Sequence, residues 1–383
     1  MEILSSGFFK KSNLQTVAAW SFYFLINIIF CVKYNPIPEI KPIYIVFLYP
    51  AIVYGIYKLT TYKDIQKKKF FFIIIACIAV GFTAFLMSYI DKYSIEVDRW
   101  SALSFWSENL KNGVYPYGSL THLDHRASPY PVWQLFHFPF HLLGDTGYAQ
   151  LFCLIVFFVF LFLNRTRINI GGFILLMVLS PGFWWEMCVR SDLLCNMLLV
   201  YIFLSSLFYY PGWRKKIYGV GLITGLFLCT KMLVGIPLFL YIFPYFLKLK
   251  SKEKIGFALI TAAGAIVPFL PFLIGENSIL NHPEYNPMLQ QTYQANRWVV
   301  IVGLVLVVLS SLKWKTMKDC FFLAGLFLFL LIFSVGVEIW IGSNLHYTIF
   351  GDEFDISYFN VSVPFFLFCI NELISPRHSF HTK

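Results

Sequence analysis

The sequence predicts an all-α, polytopic membrane protein with about twelve transmembrane helices and a large outer loop carrying amphipathic helices after the third span. Three observations predict it. Hydrophobic residues make up 58% of the 383 and charged residues only 13%, where soluble domains run nearer a quarter charged. Such a composition suits lipid rather than water as the solvent. Apolar stretches also recur at the roughly 17–25 residues needed to cross a bilayer. Finally, the basic residues sit in short clusters between those stretches, as the positive-inside rule requires.

The clusters order the spans. Lys10 and Lys11 place the N-terminus inside. The first stretch, 16–32, lacks a small-residue cleavage site and reads as a span, not a signal peptide. Lys33 and Lys41 are then outside; a second span at 42–57 returns to Lys63 and Lys67-Lys68-Lys69, and a third at 70–90 goes out. Residues 91–147 form the outer loop, and a fourth span, 148–163, leads in to Arg165 and Arg167. The fifth, 168–183, emerges at Trp184-Trp185-Glu186, and the sixth, 193–209, ends at Arg214-Lys215-Lys216. The next apolar stretch, 217–247, has basic residues at both ends, so it predicts two short helices meeting near Lys231 to Gly235, with Gly235 and Pro237 supplying the break. The ninth span lies at 255–273, the tenth ends at Lys313, the eleventh covers 320–341 and the twelfth 357–373. The loop before the twelfth holds His346 and Asp352-Glu353, and Arg377 and Lys383 keep the C-terminus inside. No repeat or low-complexity linker interrupts the chain, so one membrane domain, 1–383, is the simplest organisation.

The net charge of +10 does not point to nucleic acid, because its distribution is accounted for by topology. The eight cysteines form no CxxC pair and no ligand-spaced cluster, and most behave as small hydrophobes. Cys188 and Cys195 flank one outer loop and are expected to stay unpaired.

Chemistry is sought where polar residues gather on the outer side. The loop opens with Glu96-Val-Asp98, and 95–111 reads as an amphipathic helix with Trp100, Leu103 and Leu110 on one side. Either carboxylate suits a general base; the alternative is a solvated pair satisfied by Arg99. His122, Asp124 and His125 are weak candidates for a divalent metal, at a spacing that matches no specific motif. Arg126 suits a phosphate with its planar fork, or is a solvated loop arginine. Arg190 and Asp192, near membrane depth, are either a structural ion pair or functional. Lys231 interrupts an apolar run, where a lone ammonium is a functional candidate unless it snorkels to the interface.

The order of these features resembles the GT-C class of membrane glycosyltransferases, closest to the GPI-type and bacterial mannosyltransferases. The acidic motif matches Glu96-Val-Asp98, the G-x-x-PY element matches Gly113-Val-Tyr115-Pro116-Tyr117, and the R-Y-x-P-type stretch matches Arg126-Ala-Ser-Pro129-Tyr130-Pro131. Arg190-Ser191-Asp192 and the glycine-containing helix from Gly225 through Lys231 to Pro237 follow in the same order. Two departures are Glu-Val-Asp in place of Asp-x-Asp, and additional spans before the acidic loop. The resemblance implies inverting transfer of a sugar, such as mannose, from a polyprenyl-phosphate donor to a lipid or glycan acceptor. It implies Asp98 as the base that deprotonates or orients the acceptor hydroxyl, with Glu96 as its partner. Lys231, with Arg126 and Arg190, would meet the donor phosphate. Trp100, Tyr115, Tyr117 and Asp192 would line the substrate. No cofactor is certain, and a divalent cation is compatible with it. A multi-span transporter or lipid flippase is the competing class, and a non-catalytic assembly subunit a third. Short loops favour a bacterial inner membrane with a periplasmic site over the ER with a luminal one.

Overall fold

The computed structural model describes residues 11–35, 37, 39–62, 69–292, 296–351 and 353–373. Lys10, Lys63, Lys67, Lys68, Asp352, Arg377 and Lys383, used above to order the spans, lie outside the described residues. The regular structure is helical, and β-pairing among the described residues is confined to two isolated bridges. In chain order the helices are α1 (Lys11–Lys33), α2 (Pro42–Tyr62), α3 (Lys69–Tyr89), α4 (Arg99–Lys111), α5 (Pro131–Leu142), α6 (Tyr148–Leu163), α7 (Ile170–Val178), α8 (Pro181–Cys188), α9 (Leu193–Tyr209), α10 (Ile217–Leu228), α11 (Gly235–Leu247), α12 (Ser251–Ile266), α13 (Pro287–Thr292), α14 (Arg297–Ser311), α15 (Met317–Gly342), α16 (Leu345–Phe350) and α17 (Val363–Asn371).

Among the described residues five stretches are long and apolar enough to cross a bilayer: Leu14–Lys33, Pro42–Thr60, Phe70–Tyr89, Ser251–Phe272 and Met317–Gly342. Helices α7 and α8 make a sixth if read as one span bent by 63°. The remaining apolar helices have 10–17 residues. Large apolar side chains on the long helices face outward: Phe47 is 68% exposed, Phe70 74% and Ile78 63%. Water does not tolerate such faces in bulk, and lipid does.

The chain forms two compact units. The first comprises 1–82, 156–185 and 313–383. Within it α1 and α15 pack on α17, and α2 on α7. Gly325 lets the Phe366 ring lie so close to α15 that a Cβ there would sit 2.9 Å from it. The bend between α7 and α8 follows from Pro181, whose ring disfavours a helical residue before it. Asn27 of α1 patches the break, accepting from Ser180 Oγ at 2.6 Å and Gly182 N at 3.3 Å. Thr316 and Asp319 cap α15 reciprocally, and Gln15 donates to Asp319 at 2.8 Å.

The second unit comprises 83–155 and 186–312. Its α10 and α12 pack closely through small residues. Gly221 and Gly225, one turn apart, meet Thr261 and Gly264 of α12, and Gly264 meets the α10 backbone in return. This is the small-x-x-x-small packing by which membrane helices approach without a hydrophobic driving force. A separate core gathers Trp106, Tyr117, Tyr130, Cys229, Phe269 and Phe272 beneath the polar loop. The α12 stretch continues as a 3-10 turn, Val267–Phe272, because Pro268 and Pro271 remove the N–H groups an α-helix needs.

Two predicted elements differ in detail. The amphipathic helix expected over 95–111 begins at Arg99. Asp91 accepts from Tyr93 N at 3.1 Å and caps a 3-10 turn, Lys92–Ser94, so the chain enters α4 from an extended segment, with Asp98 at the N-cap. Trp100 and Leu103 are buried and Leu110 half-buried, as an amphipathic face requires. The break expected near Lys231 separates α10 from α11: Lys231 is extended, Met232–Val234 form a 3-10 turn and α11 starts at Gly235. Pro237 sits in the first turn of α11, where its missing N–H costs nothing.

Candidate functional site

Two polar centres lie in the second unit. The first is built around Asp98. Its backbone carbonyl accepts from Ala102 N at 2.9 Å, starting α4, while its side chain makes no cap. The carboxylate instead reaches a small hairpin in which Leu120 and Arg126 form an antiparallel bridge. Asp98 Oδ2 accepts from Thr121 Oγ1 at 3.0 Å and from His125 Nδ1 at 2.8 Å. Among the described residues Oδ1 has no hydrogen-bond partner, and the side chain is 25% exposed. A carboxylate at this helix entrance is also favoured by the helix dipole.

The second centre is the buried pair Asp192 and Lys231. Lys231 Nζ lies 3.0 Å from Asp192 Oδ1 and 2.9 Å from Oδ2. Trp133 Nε1 donates to Oδ2 at 2.6 Å, and His137, one turn along α5, lies beneath with its Nδ1 donating to the Trp133 carbonyl at 2.8 Å. Burial pushes the Asp192 pKa up, but the charges of Lys231, His137 and Arg99 outweigh it and hold the carboxyl below its ordinary range. Lys231 therefore neither snorkels nor stands alone; its charge is balanced inside the protein.

Arg99 joins the centres. It follows Asp98 in the chain, donates to Ser191 Oγ at 2.6 Å and lies 3.8 Å from Glu186 Oε1. Ser191 in turn precedes Asp192. The backbone pins the same region: Tyr130 N donates to Thr230 O at 3.0 Å and Val132 N to Cys229 O at 3.1 Å. Gln291 adds a bridge, accepting from Met232 N at 2.8 Å and donating to Ser128 O at 2.6 Å. The R-A-S-P-Y-P stretch is thus laid directly beside the break that carries Lys231.

The other expected residues are placed as follows. Glu96 is exposed and, among the described residues, makes no hydrogen bond to the Asp98 centre. The Arg190–Asp192 ion pair is not formed, because each finds another partner. Arg190 is 3% exposed, its Nε donates to Asp145 Oδ2 at 3.0 Å, and its Nη2 donates to the carbonyls of Met87 and Ile90. A guanidinium enclosed in this way ties α3 to the loop before α9 and is not placed for a phosphate. Arg126 is half-buried, donates to the Gly118 carbonyl and stacks 4.9 Å from the Tyr285 ring centroid. Trp100 is 1% exposed and Tyr117 fully buried, so the fold uses both rings for packing and neither is open to stack on a sugar. Tyr115 is half-buried and donates to the Phe272 carbonyl at 2.8 Å; burial raises its phenol to about 12. The metal expectation meets a different geometry. Among the described residues no three His, Cys, Asp or Glu side chains converge as a metal-binding group. His122 spends its ring on Ser101 Oγ at 2.7 Å and the Ile95 carbonyl at 2.8 Å. Asp124, with φ at 61°, makes the hairpin turn.

Glu186, Trp133, His137, Asp145 and Gln291 were not singled out from the sequence. Glu186 and Asp145 carried a signal, being acids at the edges of apolar stretches, but nothing local named their partners. The arrangement offers two functions: a part-exposed carboxylate with one oxygen open, and a buried ammonium held in place by a carboxylate and an indole. Comparisons with protein families, curated proteins and solved structures gave no match.

Proposed function

We propose that this protein is an inverting membrane glycosyltransferase of the GT-C kind, moving a sugar from a polyprenyl-phosphate donor to a lipid or glycan acceptor at the outer face of the membrane. On this reading the five long helices, the bent α7–α8 pair and the six shorter apolar helices are twelve spans. The site then lies at the periplasmic side of a bacterial inner membrane, or the lumenal side of the ER. Mannose is the sugar that the resemblance favours.

The observation that carries the reading is Asp98. It is a carboxylate at the mouth of an amphipathic helix, oriented by Thr121 and His125, with one oxygen open. An acceptor hydroxyl set against the centre that Asp98 organises is activated for in-line attack on the anomeric carbon. The leaving phosphate needs no acid but does need positive charge, which Lys231 supplies while Asp192 and Trp133 keep it in position. Of the two arginines, Arg126 is the one left near enough to solvent to help.

The test is transfer of labelled sugar from polyprenyl-phosphate donors to a glycolipid acceptor by purified protein in nanodiscs. Wild type is expected to transfer and Asp98→Asn to lose at least a hundredfold in kcat; full transfer by Asp98→Asn refutes the assignment. A transporter is the second reading, favoured by the buried Asp192–Lys231 pair. It predicts no transfer with any donor, together with donor movement across protein-containing liposomes.

A further inference from the structure

We infer that His125 is the group that takes the acceptor proton, with Asp98 as its orienting carboxylate. The inference rests on the glycosyl-transfer reading.

The hairpin is built to aim this imidazole. Asp124 N donates to Thr121 O at 3.1 Å, closing a four-residue turn whose last residue, Asp124, takes the left-handed conformation. Thr121 N then donates to His125 O at 2.8 Å, and His125 N donates to Thr121 Oγ1 at 3.0 Å. The same Thr121 hydroxyl donates to Asp98 Oδ2. One side chain therefore fixes both the backbone of His125 and the carboxylate that its ring meets. His122 stitches the hairpin to the start of α4 through Ile95 and Ser101.

The ring chemistry follows. Nδ1 lies 2.8 Å from Asp98 Oδ2, so Nδ1 carries the hydrogen and the Nε2 lone pair is left for a proton. The His125 side chain is 70% exposed, and among the described residues Nε2 has no hydrogen-bond partner. Imidazole is the side chain whose basicity best matches neutral pH.

The step balances. The acceptor O–H gives its proton to Nε2 while its oxygen forms a bond to the anomeric carbon. The bond from that carbon to the phosphate oxygen breaks, and its electron pair leaves with the polyprenyl phosphate. The imidazolium that results stands beside the Asp98 carboxylate, and it returns its proton to solvent, to which it is open.

The experiment uses the full chain in nanodiscs with polyprenyl-phosphate mannose, glucose or galactose as donor and octyl mannoside as the acceptor probe. His125→Ala is expected to lower kcat at least a hundredfold with KM within threefold of wild type, and added imidazole is expected to restore turnover tenfold or more. His125→Gln, which keeps a polar side chain without a basic nitrogen, is expected to match His125→Ala before rescue. Wild-type kcat in either variant overturns the inference. So does a loss that imidazole leaves unchanged while the melting temperature stays at the wild-type value, or a loss accompanied by a lowered melting temperature in both variants. In those cases wild type still transfers sugar and the glycosyl-transfer reading stands. No transfer by wild type with any of the three donors instead removes that reading and this inference with it.

Discussion

Asp192 grips Lys231 with both carboxylate oxygens, at 3.0 and 2.9 Å, across 39 residues of chain. Neither side chain is more than a tenth exposed. The pair is set by two helix breaks: the loop ahead of α9 and the extended residue between α10 and α11. It also gains an indole hydrogen bond from Trp133. Removing one member leaves the other charge buried and unbalanced, which costs about 3–5 kcal/mol.

For this reason Lys231 is best tested by two readouts. Lys231→Ala is expected to weaken donor binding at least tenfold in a nanodisc titration and to lower the melting temperature. The double variant Lys231→Met, Asp192→Asn removes both charges and is expected to regain most of the stability while still failing to bind donor. Wild-type donor affinity in the double variant would refute the phosphate role of Lys231.

Arg190 holds a fold contact rather than a ligand. Arg190→Ala strands Asp145 and frees the Met87 and Ile90 carbonyls, so a loss of about 3–5 kcal/mol is expected. Asp145→Asn, Arg190→Gln and their combination form a double-mutant cycle, read by chemical denaturation in detergent. Strictly additive losses would contradict the pairing.

His137 makes stability depend on acidity. Burial lowers its pKa from 6.5 to about 4, against the opposing pull of Asp192. The folded protein thus binds this proton less readily than the unfolded chain. Stability is fully present above pH 6.5 and is lost as pH falls from there toward 4, by about 3 kcal/mol over that window. Melting curves of wild type and His137→Asn between pH 7 and pH 4.5 check this. The variant is expected to show the shallower slope, and parallel curves would count against it.

Gly225 is a packing contact that a methyl group cannot share. A Cβ there runs into the Thr261 carbonyl and lies 2.9 Å from the Gly264 Cα. Gly225→Ala is expected to push α10 from α12 at a cost of about 1–3 kcal/mol. Gly219→Ala, where the nearest side-chain atom is 4.0 Å away, is the control and is expected to melt at or above the wild-type temperature.

The sequence by itself determined where most helices form and one place where they break. Apolar run length, the basic clusters, and Gly235 with Pro237 are local signals, and helix formation is a local event. The breaks at Pro181 and at Pro268 to Pro271 fall inside the stretches 168–183 and 255–273, which the sequence reads as single spans. The same locality made Asp98 and Lys231 visible, because each is a charge beside or inside an apolar run. It did not reveal partners. Arg99, Arg190 and Lys231 each had several acids to choose from, and neighbours in sequence suggested Arg99 for the acidic motif and Arg190 for Asp192. Tertiary structure decided otherwise: Arg99 lies against Ser191 and Glu186, Arg190 against Asp145, Lys231 against Asp192. It likewise set His125 on Asp98 across 27 residues and spent Trp100 and Tyr117 on packing. The physical reason is that a buried charge must be balanced by whichever opposite charge the packing of helices brings within hydrogen-bond reach, and that distance is a property of the folded backbone, not of spacing along the chain.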